Sequence, residues 1–106
     1  METERLTQLF GFLSKDPQDA FTRYSIAYEY LGLENHKEAA KHFRLLLEEH
    51  PDYLGAFYHY GACLLALNKR DEAESIFETG MTKARAARDT HALAELQSAY
   101  NNMMYE

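Results

Sequence analysis

His59 and Cys63 are the side chains with the clearest chemical potential in this 106-residue sequence, and they lie four positions apart in one predicted helix. That spacing places an imidazole and a thiol on the same helix face, where they could be two ligands of a metal ion or a nucleophile and its base. A structural zinc site needs four ligands, and no second cysteine or His-x-x-x-His pair completes the set. No third group is apparent to orient a Cys–His nucleophile. The sequence therefore predicts no metal site and no catalytic residue.

The other ionisable side chains fit solvated helix surfaces. We expect the remaining histidines, which lie mostly at predicted helix ends or on polar faces, to be hydrated: His36, His42, His50 and His91. A small basic cluster, Lys83, Arg85 and Arg88, falls late in a predicted helix, where positive charge is favourable. The five glycines are isolated, so no glycine-rich loop is available for phosphate and no cofactor is expected.

Composition and charge restrict the class of protein. The chain is 46% hydrophobic, lacks valine and has only two prolines, which favours a single all-α domain. A net charge of −6 argues against nucleic acid as a partner. The single cysteine excludes an internal disulfide and fits a reducing compartment. The first residues do not resemble a signal peptide, and no apolar run is long enough to span a bilayer, so we expect a cytoplasmic protein without membrane contact.

Hydrophobic periodicity predicts six helices. They are expected over residues 4–14, 17–33, 37–49, 53–67 and 71–87, with a last helix after an Asp89-Thr90 cap. Asp16 is the expected N-cap of the second helix, with Pro17 at its first position, and Pro51 is expected to open the fourth. The second helix has an apolar side made of Tyr24, Ala27, Tyr28 and Leu31. The fourth helix is apolar nearly all round, which predicts a central, buried position.

An internal repeat relates the helices in pairs. Several residues recur 34 positions later with the same or a similar type: Pro17 and Pro51, Tyr24 and Tyr58, Ala27 and Gly61, Leu31 and Leu65, Ala39 and Ala73, Phe43 and Phe77. Stacked helix pairs produce such a period, whereas a solvated helix has no reason to keep it. The repeat therefore predicts helical hairpins stacked side by side.

This pattern resembles the tetratricopeptide repeat family, whose units are helix–turn–helix hairpins of 34 residues. The first unit, 20–53, has the family's small residue, alanine, aromatic and proline as Ala27, Ala39, Phe43 and Pro51. The second unit, 54–87, matches with Gly61, Ala73 and Phe77, but Arg85 replaces the proline. The chain is also similar to small bacterial members of the family.

The resemblance implies an all-α, right-handed superhelix of antiparallel helix pairs, an α-solenoid with two repeats. Residues 1–16 and 89–106 are then expected to be capping helices that cover the open apolar faces at the two ends of one domain, 1–106.

The resemblance also implies a site. In this family the first helix of each unit lines a concave groove, and the matching positions here are Phe21, Tyr24, Tyr28 and Leu31, with Tyr58, Ala62 and Leu65. Some members use lysines and asparagines in the groove to hold a carboxyl terminus, and this chain has none at these positions. The expected function is non-catalytic binding of a peptide segment or partner protein through a tyrosine-rich groove. The alternative is a homodimer formed through the same face.

Overall fold

Six α-helices make up the protein in a computed structural model that describes residues 3–106. Their bounds are α1 Glu4–Lys15, α2 Ala20–Gly32, α3 His36–Glu49, α4 Gly55–Ala66, α5 Arg70–Ala86 and α6 Thr90–Met104. No β-strand occurs in the described range. The predicted all-α fold is therefore confirmed, and the helix bounds agree with the prediction to within a few residues.

The helices pack in chain order as a short solenoid. α2 packs against α3 and α4 against α5, and each of these pairs is joined by a turn of only three residues. α1 covers the outer side of α2, while α6 packs on both α5 and α4. α2, α4 and α6 consequently lie side by side along one face, which we call the first-helix face.

The tight turns that end α2, α4 and α5 share one backbone conformation. Glu34, Asn68 and Arg88 have φ values of 58°, 61° and 57°, in the left-handed region that non-glycine residues seldom adopt. In the first turn, the N–H of Asn35 donates to the carbonyl of Tyr30 over 3.0 Å. The other two turns contain the equivalent bond, so all three helices end in a Schellman motif that satisfies their last carbonyl groups.

Two glycines allow α4 and α5 to pack closely against each other, and one of them also allows α6 to approach. A Cβ atom on Gly61 of α4 would overlap the ring of Phe77, which lies against the backbone at that point. A Cβ on Gly80 of α5 would lie 2.8 Å from Cβ of Phe57 and 3.0 Å from Cδ1 of Leu96. Phe77, Phe57 and Leu96 are all buried in one cluster, so these contacts fix the spacing of α4, α5 and α6.

The predicted helix starts at the two prolines are wrong. α2 begins at Ala20, because Asp19 is its N-cap: its carboxylate accepts the N–H of Thr22 over 3.0 Å. Pro17 therefore lies in the preceding turn and Asp16 caps the end of α1. Pro51 likewise lies in the turn before α4, which begins only at Gly55.

The predicted apolar side of α2 and the expected hydration of His42 also need correction. α2 buries Ile26, Ala27 and Tyr30, whereas Tyr28 is exposed. The reason is that α1 and α3 both pack on α2, so its buried stripe turns toward them. His42 is only 6% exposed.

His42 is held in a buried cluster beneath α1. Its ring stacks on Tyr30 with centroids 5.7 Å apart and meets the edge of Phe10 at 5.7 Å. Its Nδ1 lies 3.1 Å from Nη1 of Arg23, which can only donate, so Nδ1 accepts and carries no proton. Burial, reinforced by the charge of Arg23, lowers the pKa of His42 from 6.5 to about 4.

The glycine contacts predict that alanine is destabilising at Gly61 but not at Gly11. Gly61→Ala should lower the free energy of unfolding by about 1–3 kcal/mol, because the added methyl group displaces the Phe77 ring. Phe77→Ala should lower it by about 3–5 kcal/mol through the cavity that it leaves. Gly11→Ala is the matched control, since nothing lies within 4 Å of its Cβ position, and it should stabilise α1 by up to about 1 kcal/mol. Urea denaturation measures all three, and equal effects of the two Gly→Ala changes would refute the packing described.

The buried histidine predicts acid sensitivity. The unfolded chain takes up a proton at His42 near pH 6.5, but the folded chain does so only near pH 4, so the free energy of unfolding falls as the pH drops through that interval. We expect a loss of about 3 kcal/mol from this residue. His42→Asn keeps an acceptor for Arg23 but cannot titrate. It should be less stable at pH 7 and show a shallower pH dependence, and an unchanged slope would contradict the assignment.

Candidate functional site

Aromatic rings of α2 and α4 meet on the first-helix face. Tyr24 and Tyr28 of α2 stack with centroids 6.1 Å apart. His59 of α4 presents an edge to Tyr28 at 5.3 Å and to Tyr58 at 5.2 Å. His59 therefore connects the tyrosines of the two helices, and we call these four rings the aromatic cluster.

Helical spacing and the repeat together create this cluster. Tyr24 and Tyr28 are one turn apart and share a face of α2. Tyr58 occupies the position of Tyr24 in the next unit, and His59 follows it on the side of α4 that is nearer to α2. The cluster thus follows from placing equivalent positions of neighbouring helices side by side.

Buried and half-buried aromatic residues support the cluster from below. Tyr24 packs on Tyr53 at 5.4 Å and meets the edge of Phe43 at 6.1 Å. His59 stacks on the same Phe43 ring at 6.2 Å, with the planes 15° apart. Phe43 is fully buried, so it forms the floor of the cluster and restricts how far the rings above it can move.

The predicted groove residues all lie on α2 or α4, and none of them is fully buried. Phe21 and Tyr28 are 66% and 52% exposed, which is unusual for side chains of this size. Ala62 is also exposed, and the other four are half-buried: Tyr24, Leu31, Tyr58 and Leu65. Tyr58 and Leu65 pack against the cluster that contains Leu96 of α6, so the closing helix covers part of this side.

Sequence reasoning missed three contributors to this surface. The sequence analysis weighs His59 only as a metal ligand or as the base of a Cys63 nucleophile, although its place beside Tyr58 in the repeat indicates a position next to the groove. Tyr53 belongs to the turn before α4 and has no period to identify it. Glu95 comes from α6, and no helical pattern within α2 or α4 could have indicated its approach.

The charges that act on these rings are acidic. Burial lowers the pKa of His59, which keeps its imidazole neutral, and the Glu95 carboxylate opposes that effect. Burial raises the pKa of Tyr24, with Glu95 adding to the effect, and Asp19 has the same influence on the pKa of Tyr53. The surface is therefore aromatic and uncharged, with carboxylates close by.

The candidate chemical pair does not form a reactive centre in the structure. Cys63 is buried in the core, where desolvation raises the pKa of its thiol to about 11 and keeps it protonated. The His59 ring is engaged by Tyr28, Tyr58 and Phe43. Among residues 3–106, no group of three or more histidine, cysteine or acidic side chains could hold a metal ion.

Comparison with known proteins identifies the class. The family described as tetratricopeptide repeat matches residues 30–100, which is more than half of the chain. A tetratricopeptide repeat domain protein from Salinibacter ruber, solved in solution by NMR, is 38% identical with a TM-score of 0.76, and the match covers 83% of this chain and 89% of that one. A crystal structure from the same organism is 36% identical with a TM-score of 0.77 over 82% of this chain and 98% of that one. The chain therefore belongs to the tetratricopeptide repeat family.

More distant structures share the fold. The TPR2B domain of yeast Sti1, described in complex with pHsp70, is 16% identical with a TM-score of 0.87, covering 93% of this chain and 79% of that one. The search of curated proteins found no match.

Membership of the tetratricopeptide repeat family indicates a general type of function. The tetratricopeptide repeat is generally a non-catalytic protein–protein interaction fold. Within the described residues, no helix is both long and apolar enough to cross a membrane.

Proposed function

We propose that this protein is a non-catalytic binding module that holds a segment of a partner protein against the first-helix face. The observation that carries the proposal is the exposure of Tyr28 in the aromatic cluster and of Phe21 on the same helix, on a face where the family's first helices lie together. Large aromatic side chains exposed side by side on a helical surface are typical of a protein interface.

The tyrosine rings offer contact area and are restrained before a partner docks, and both properties favour binding. Tyrosine provides broad apolar contact and a hydroxyl group for hydrogen bonding, and it has few rotatable bonds to immobilise. Tyr24 and Tyr28 already restrain each other by stacking, and His59 contacts both. Less conformational entropy is therefore lost when a partner docks than would be lost from isolated surface side chains.

The carboxylates near the tyrosines restrict the charge of the segment that can bind there. Glu95 and Asp19 are the ionised side chains that act on the tyrosines, and both would repel a carboxylate. We therefore propose an uncharged or basic segment, extended or helical, that places an apolar side chain over Tyr28. The yeast Sti1 domain shows that this fold can carry a bound protein-derived ligand.

The helices at the two ends of the chain complete the domain. We propose two repeats, 20–53 and 54–87, closed by residues 1–16 and 89–106. The apolar residues of α1 that pack on the first unit include Leu6, Leu9, Phe10 and Leu13, and those of α6 that pack on the second include Leu96 and Met103. Each end helix thus covers an apolar face that would otherwise contact water.

The alternative occupant of the first-helix face is a second copy of this chain. Both occupants need the same exposed rings, so the surface alone does not separate them. Sedimentation at micromolar concentration does, because a homodimer through this face predicts a dimer and the proposed module predicts a monomer. A stable dimer abolished by Tyr28→Ala would replace the proposal with the alternative.

Removing the central tyrosines should abolish binding without unfolding the chain. Truncating a central interface aromatic weakens binding by about 2 kcal/mol or more, roughly thirtyfold, so Tyr24→Ala with Tyr58→Ala should eliminate partner capture from a lysate of the source organism. Tyr105→Ala is the control, since Tyr105 is 88% exposed and follows α6. Circular dichroism should show equal helical content in all three proteins. Capture that survives in the double variant would show that another surface binds the partner.

A further inference from the structure

A second surface lies on the opposite side of the repeat, where α3, α4 and the start of α5 meet. It is a groove of about 300 Å³, at the lower end of the range for ligand sites. Ala40 and Leu64 are among the apolar residues that line it. We call it the basic groove, because its other lining residues include Lys37, Lys41, Arg44 and Lys69.

The concentration of positive charge in the basic groove is unusual for this chain. The whole sequence has 11 lysines and arginines against 17 acidic residues, yet four of those cations and a single carboxylate, Glu72, line this one groove. Random placement on an acidic protein would mix the signs. A locally positive potential on a negatively charged chain attracts anions, so the groove is selective for anionic ligands.

Two of the four cations are uncommitted. Arg44 pairs with Glu48 at 3.1 Å, and Lys69 lies 3.9 Å from Glu72. Both pairs are exposed on helix surfaces and exchange readily with another carboxylate. Lys37 and Lys41 have no carboxylate partner within the part of the chain that the structure describes. They lie one turn apart on α3, so both can reach one ligand.

Tyr60 adds a hydrogen-bonding group to the basic groove. Its side chain is half-buried among the lining residues, and its ring stacks on Phe43 with centroids 6.4 Å apart. The charged side chains that act on its hydroxyl are Glu72 and Arg44, which line the same groove, and Glu48, which pairs with Arg44. The groove therefore combines an apolar floor, a fixed phenol and mobile ammonium groups, a set that matches carboxylate side chains with aliphatic stems.

We propose that the basic groove binds a short acidic segment of a protein, in which one or two carboxylates reach Lys37 and Lys41, in the groove that Tyr60 also lines. A protein segment fits better than nucleic acid. A long polyanion would extend beyond the groove onto the rest of a chain whose net charge is −6, whereas a few acidic residues stay within the local positive field. This proposal does not rest on the proposed function, because none of the groove's lining residues belongs to the aromatic cluster.

Fluorescence anisotropy of a labelled hexaglutamate peptide with the full chain at low salt tests the proposal. The parent should bind the peptide, and about 0.5 M salt should remove binding, because the Debye length then falls to a few ångströms. Lys41→Gln should weaken binding about fivefold, whereas Lys15→Gln, the same charge change on exposed α1, should leave it within twofold. Glu72→Gln removes the competing carboxylate and should tighten binding.

Three results would overturn the proposal. The first is no binding of hexaglutamate by the parent chain at low salt. The second is equal weakening by Lys41→Gln and Lys15→Gln, which would reduce the effect to net charge. The third is displacement of the peptide by an oligouridylate of the same charge at lower concentration than by unlabelled hexaglutamate, which would make nucleic acid the preferred occupant.

Discussion

The contact between the Phe77 ring and the backbone of Gly61 fixes the geometry on which the rest of the molecule depends. Only the absence of a side chain at residue 61 lets the ring lie there, and Gly80 allows the same closeness to Phe57 and Leu96. Interiors packed at crystal density transmit small displacements, so these contacts set the position of α4 between its neighbours. α4 in turn carries Tyr58 and His59, and the aromatic cluster therefore inherits its geometry from the core.

The residue equivalent to Phe77 in the first unit has an additional role. Phe43, which stands 34 residues before Phe77, is fully buried and contacts both Tyr24 and His59. One ring thus closes the core and supports the surface above it. The basic groove lies on the other side of α4 and shares Phe43 as a neighbour through Tyr60. The chain consequently presents two faces of different chemistry, one aromatic with nearby carboxylates and one basic.

The fold could be predicted from sequence because its information is periodic. The 34-residue spacing of Ala39 and Ala73, or of Phe43 and Phe77, can be read without knowing where the helices begin and end. The errors arose where contacts between distant segments decide the outcome. His42 looks polar within α3, but Phe10 of α1 covers it, and nothing within α3 encodes that cover. The error at Pro17 was local instead, because Asp19 caps α2 by accepting the N–H of Thr22, and Pro51 lies in a turn that continues until α4 begins at Gly55. The predicted groove positions come from the family resemblance, whereas the approach of Glu95 depends on how α6 packs against α4 and α5.

The central claim is that the first-helix face contacts a partner, and site-specific photo-crosslinking tests it most directly. A benzophenone amino acid would replace Tyr28 in one protein and Phe12 in another, both large exposed aromatic positions, with Phe12 on α1 outside the aromatic cluster. In cells of the source organism, we predict a crosslinked product of higher mass than a homodimer from position 28 and none from position 12. Products from position 12 alone would contradict the account.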